Sequence, residues 1–272
     1  MKLLFEDLAK DCSSPERVQK LSNWVKNADS ARESDQLDKR ANQYDKAEEL
    51  ITFYTFAPLV LSLNRVGLIN RILGLAGISP FEENVVSLGL ERQYSPPEGY
   101  LQWLKKDVKS HQIRYIREKS ADHLKTNKLL ESPTHVDASI ETDKLLIFFE
   151  MKFTSDIAHS TTYNPHRNQV ARLIDVGIDV AKRSGKEVLV LLSTPRKLYE
   201  RRSRLYYYKV QEYSDPSMIH KDIAWRTISE IKDNLLAVRW IALEDLINLL
   251  YKDFCHSHKE EAMKFFRERN LA

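Results

Sequence analysis

Two acids and a lysine are spaced so that they could share one reaction: Asp137, then twelve residues, then Glu150-Met151-Lys152. Glu150 and Lys152 lie in the run LLIFFEMKF, and in a strand their side chains point to the same face. Leu146 and Phe148 share that face, while Ile147, Phe149, Met151 and Phe153 take the other. A carboxylate and an ammonium are costly to bury in so apolar a strand unless something compensates them. Paired, they neutralise one another; with a third acid nearby they make a site for a divalent cation. Hard oxygen ligands suit Mg²⁺ or Mn²⁺. Such an ion polarises a phosphodiester and acidifies an attacking water. A lysine two residues along would orient that water or stabilise charge developing on phosphorus.

The surrounding sequence supplies the elements that must position these groups. Residues 135–141 alternate, 145–153 are densely apolar, and Thr142-Asp143-Lys144 between them suits a hairpin turn. An even number of turn residues around Asp143 would put Asp137 on the Glu150 face, opposite or diagonal to it. Residues 167–184 have helical spacing, with Val170, Leu173, Ile174, Gly177, Ile178 and Ala181 in one stripe, and Gly185 ends them. Residues 187–192 read as a fully buried strand. A basic, tyrosine-rich helix is expected after Pro195, another around Trp225, a short strand over 237–242, and a terminal helix from Leu243.

Upstream, Ser14-Pro15-Glu16 is a helix start. Residues 29–45 read as a charged exposed helix or connection, and 45–75 as two buried helices split near Pro58 or Asn64. Gly74, Gly77 and Pro80 punctuate the chain there. Residues 82–90 read as a helix and 100–127 as one long helix. The pattern is α/β: a central mixed sheet flanked by helices over 81–272, with a helical N-terminal subdomain over 1–80.

The segment HVDASIETDKLLIFFEMKF resembles the D-x(n)-E-x-K core of the PD-(D/E)xK nucleases, which have the restriction-endonuclease-like fold. Val136 stands where that motif has Pro. The resemblance implies metal ligation by Asp137, Glu150 and the Met151 carbonyl, with Lys152 catalytic. Similar proteins carry a Gln on the helix after the E-x-K strand, and RNQVARLIDVG offers Gln169, with Arg172 one turn on. Many place a further acid on an N-terminal core helix; Glu83 in FEENVV is the best match and Glu118 a weaker one. The activity implied is Mg²⁺- or Mn²⁺-dependent hydrolysis of DNA, with RNA not excluded and a homodimer possible. Two rival readings keep the same residues: the fold with its reaction lost, serving as a nucleic-acid-binding or assembly module, or a structural Glu150–Lys152 pair in an unrelated α/β domain.

Composition narrows the alternatives. Only 7 Gly in 272 residues leaves no glycine-rich phosphate loop of either nucleotide-binding type. Cys12 and Cys255 cannot make a four-thiolate metal centre or a disulfide framework, so a reducing cytoplasm is expected. The stretch 53–63 is too short to span a bilayer and contains Pro58, so no membrane is expected as a partner. A formal net charge of +3 permits nucleic acid without demanding it. In PRKLYERRSRLYYYKVQEY, Arg196, Lys197, Arg201, Arg202 and Arg204 stand beside Tyr199, Tyr206, Tyr207 and Tyr208. They read either as phosphate and base contacts or as a solvated helix face with rings tucked into the core.

Overall fold

The computed structural model describes residues 48–80, 84–126 and 128–272. Cys12, the helix start at Ser14, the charged stretch 29–45 and Glu83 lie outside the described residues. The strands are β1 (Val85–Tyr94), β2 (Thr134–Thr142), β3 (Leu145–Met151), β4 (Glu187–Thr194) and β5 (Leu235–Ala242). They form one sheet in that order, with β1–β2 and β2–β3 antiparallel and β3–β4 and β4–β5 parallel. All seven residues of β3 are buried, as an apolar run achieves only in a sheet covered on both faces.

The two covering layers follow from strand alternation. On one face Ile147, Phe149 and Met151 meet α1 (Glu48–Leu61), α2 (Arg65–Leu75), α10 (Leu243–Tyr251) and α11 (Lys259–Arg267). There Phe56 packs edge-on to Phe149 at 4.7 Å between ring centres. The boundary expected at residue 80 thus falls between α2 and β1, yet α1 and α2 share one core with the sheet. On the other face Leu146 and Phe148 meet α5 (Gln169–Ser184), α7 (Leu205–Glu212), α8 (Pro216–Asp222) and α9 (Ile228–Asn234). Helix α5 begins at Asn168, whose side chain accepts from the Ala171 N–H, and ends at Gly185 in the left-handed region. A Cβ at Gly177 would lie 2.8 Å from Val188 Cγ1, so only glycine lets α5 lie this close to β4. Among the described residues no helix is long and apolar enough to cross a membrane.

Five expectations are corrected: Trp225 sits in a turn between α8 and α9, the terminal helix from Leu243 is two, α10 and α11, and three others differ as follows. Residues 84–90 are not helical: from Val85 they form β1, paired along β2. Gly89 in mid-element and the β-branched Val85 disfavour a helix, and the edge of β2 offers pairing instead. The long helix over 100–127 is a hairpin of α3 (Glu98–Ser110) and α4 (Arg114–Lys125). Gln112 ends the buried row of Tyr100, Leu104 and Val108, and the backbone is extended at His111 and Ile113. The helix after Pro195 is split into α6 (Arg196–Glu200) and α7, with Arg202 in the left-handed region between them.

Candidate active site

The turn between β2 and β3 holds two residues, Asp143 and Lys144, since Glu141 pairs with Leu146 and Ala138 with Phe149. Just past Ala138 and Phe149, Asp137 and Glu150 come close enough for the Glu150 charge to act on the Asp137 carboxyl. On β1, Glu91 lies between Leu90, opposite Ala138, and Arg92, opposite Val136, near enough for its charge to act on Asp137 as well. Carboxylates from three neighbouring strands thus lie near one another toward the C-terminal end of β3. Glu91 is buried and sits at φ 53°, a strained position for a residue with a side chain.

Around Glu150 and Lys152 the contacts are close. Lys152 Nζ lies 2.8 Å from Glu150 Oε1, and both side chains are buried. Gln169, first residue of α5, donates from Nε2 to Glu150 Oε1 at 2.6 Å and accepts the Ala158 N–H on its own Oε1 at 3.2 Å. Asp137 Oδ2 accepts the Met151 N–H at 2.6 Å. Glu150 Oε2 is buried with no hydrogen-bond partner among the described residues.

A sixth group, like Glu91, escapes sequence reasoning. Glu48, at the first position of α1, lies 3.2 Å from Lys152 Nζ. It also accepts from Phe153 N at 3.1 Å and from Ser155 Oγ at 2.6 Å, fastening the chain just past β3. The available signal is an acid just ahead of the strongly apolar stretch 53–63.

Electrostatics at the site are strained in one direction. Burial, reinforced by the Glu150 and Glu91 charges, pushes the Asp137 carboxyl well above the usual carboxylate range. Burial pushes Glu150 up as well, opposed by the Lys152 charge. Burial by itself would lower the Lys152 ammonium; the Glu150, Glu48 and Asp137 charges outweigh it, and lysine is held firmly protonated.

For a divalent ion, the residues present fit a sparse oxygen site. Among the described residues no three His, Cys, Asp or Glu side chains converge on one point within reach of an ion. A carboxyl whose ionisation a second carboxylate opposes, beside a buried carboxylate oxygen lacking a donor among the described residues, is nevertheless the kind of set Mg²⁺ uses when waters and substrate phosphates complete its shell.

The remaining sequence candidates are scattered. Arg172 is turned to Glu131 at 3.4 Å and to the Ser132 carbonyl at 3.2 Å. Arg196 pairs with Asp245, and its N–H is capped by Glu244. Arg204 donates to the Thr154 carbonyl at 3.2 Å, in the loop leaving the site. Lys197, Arg201 and Arg202 are exposed, and Arg202 stands over the Tyr207 ring. The tyrosines beside them mostly serve the core: Tyr199 stacks on Trp240 at 3.9 Å and Tyr206 is buried. Glu118 pairs with Arg114 on the surface of α4. Comparison with protein-family models, with curated proteins and with solved structures gives no match to this chain.

Proposed function

We propose that this protein is a metal-dependent nuclease that hydrolyses phosphodiester bonds in DNA. Asp137, Glu150 and the Met151 carbonyl would hold Mg²⁺ or Mn²⁺. The observation that carries this reading is the meeting of Asp137, Glu150 and Lys152 at one end of the sheet, with Gln169 fixed on the same carboxylate. When bound, the ion supplies polarisation of the scissile phosphate and an acidified water. Lys152, held as an ammonium, donates to the attacking water or to a phosphate oxygen as charge develops there. Gln169 and Glu48 position the reacting groups: one orients the Glu150 carboxylate, the other keeps Lys152 and residues 153–155 in place. On this reading Glu48, in the first turn of a helix of the core, would also serve as a further acid beside the site.

The test is cleavage of single- and double-stranded DNA with Mg²⁺, Mn²⁺ or EDTA, using the wild type and Asp137→Ala. Divalent-dependent cleavage is expected, slowed by about 10²-fold or more in the variant, the scale set by removing one group that stabilises transition-state charge. Equal rates for both proteins would end the assignment. A second reading has its own support: Lys152 bridges Glu150 and Glu48, which also suits a silent nucleic-acid-binding or assembly module. That module would bind DNA equally in Mg²⁺ and EDTA and cut in neither.

A further inference from the structure

The α3–α4 hairpin leaves the sheet after β1 and returns into β2, at the end where Asp137 and Glu150 meet. Its base is tied to the loop before α5 by buried contacts. Tyr163, in the loop between β3 and α5, lies with its hydroxyl 2.9 Å from His123 Nδ1. Arg167, just before α5, is fully buried over the Tyr100 ring at 3.7 Å and bonded to Glu131 at 3.0 Å. The outer surface is basic: residues 98–128 hold eight Lys and Arg against four Asp and Glu, a net of +4 in a chain whose total is +3.

That charge lines two adjoining grooves that share Leu124. One, of about 480 Å³, is bordered by Lys109, Arg117 and Lys125; the other, of about 110 Å³, by Lys105 and Lys128. Two of the four acids are already engaged, Glu118 by Arg114 and Asp122 by Lys125. Lys105, Lys109 and Lys128 are exposed and have no carboxylate partner among the described residues. Tyr115 is strongly exposed, and Lys119 stands over its ring at 5.3 Å. The surface therefore offers cations for phosphates but no row of rings, among the described residues, on which bases could stack.

We propose that the α3–α4 hairpin is an arm that grips the phosphate backbone of duplex DNA beside the active site. The proposal rests on the nuclease reading for its substrate. The segment 196–204 leaves β4 at the same end of the sheet, so a duplex lying over the site would meet positive charge on both flanks.

The experiment measures binding of the full chain to a fluorescent duplex of about 25 base pairs in EDTA across a salt series, which separates binding from cleavage. The probe proteins are wild type, Lys105→Glu/Lys109→Glu/Lys128→Glu, and the milder triple change to Gln. Thermal melting checks that each is folded, and the Gln triple keeps the test decisive if the Glu triple is not. Affinity should fall by about tenfold or more in the Glu triple, and the slope of log K against log salt should shrink by about 0.9 for each phosphate no longer neutralised. If the wild type binds and both triples match it in affinity and slope, the arm is wrong while the nuclease reading stands. If the triples bind single-stranded RNA less well but the duplex unchanged, the assignment to duplex DNA is overturned. A wild type that neither binds nor cuts duplex in any metal overturns the nuclease reading and the arm together.

Discussion

Asp137 is a carboxyl whose surroundings resist its ionisation. Burial and the neighbouring Glu150 and Glu91 raise its folded-state proton affinity above that of an unfolded aspartate. A carboxyl shifted this way contributes its stability at low pH and loses it as the pH climbs from about 4 through the raised folded value. Asp137→Asn keeps an oxygen to accept the Met151 N–H and removes the charge. In EDTA at about pH 7 the variant should therefore melt above the wild type, with the gap closing toward about pH 4. Mg²⁺ should raise the melting temperature of the wild type and leave the variant unmoved. A variant that melted lower than wild type in EDTA at neutral pH would contradict this account of the site. Lys152 behaves in the opposite sense: its ammonium is strengthened by three carboxylates and its pairing persists across neutral pH.

The elements around that residue are positioned by few but specific contacts. Gly177 is the clearest, because its missing side chain sets the spacing between α5, which carries Gln169, and the strands β3 and β4. A side chain there would press on Val188 Cγ1 at 2.8 Å and on Phe148 Cε2 at 3.3 Å. Gly177→Val should cost about 1–3 kcal/mol in urea unfolding, as overpacking of a filled core does; an unchanged midpoint would mean that α5 slides freely. Much of this arrangement is legible in the sequence. The β2–β3 hairpin, α5, β4 and the convergence of Asp137 with Glu150 follow from alternation, a two-residue turn and a single apolar stripe, all local signals. β1 reads as a helix because VVSLGLERQY lacks clean alternation and takes its form from its pairing with β2. Glu91 is hidden with it. Glu48 is invisible for a different reason: an acid in the first turn of a helix normally complements the backbone dipole, and only the folded chain brings it to a lysine 104 positions away.

At the scale of the whole molecule, a buried polar cluster ties the outlying hairpin to the sheet layers. Arg167 joins Glu131 below the hairpin to Asp175 on α5, and Asp175 is held again by Arg226 before α9. Removing one partner of such a cluster leaves the others charged and dry. Arg167→Met should cost about 3–5 kcal/mol in denaturant unfolding, and a loss below about 1 kcal/mol would show that hairpin and sheet are fastened elsewhere.

The placement of Glu48 reaches beyond the proposed chemistry. The five strands by themselves span 85–242, and a polypeptide begun at residue 81 would contain every one of them. It would lack the helix that covers Phe149, and with it the carboxylate clasping Lys152 and the Tyr54 carbonyl to which the Tyr251 hydroxyl bonds. Proteolytic clipping or an internal start near that point would therefore release no self-standing smaller domain, only a sheet with one greasy side bared and its lysine short of a counter-charge.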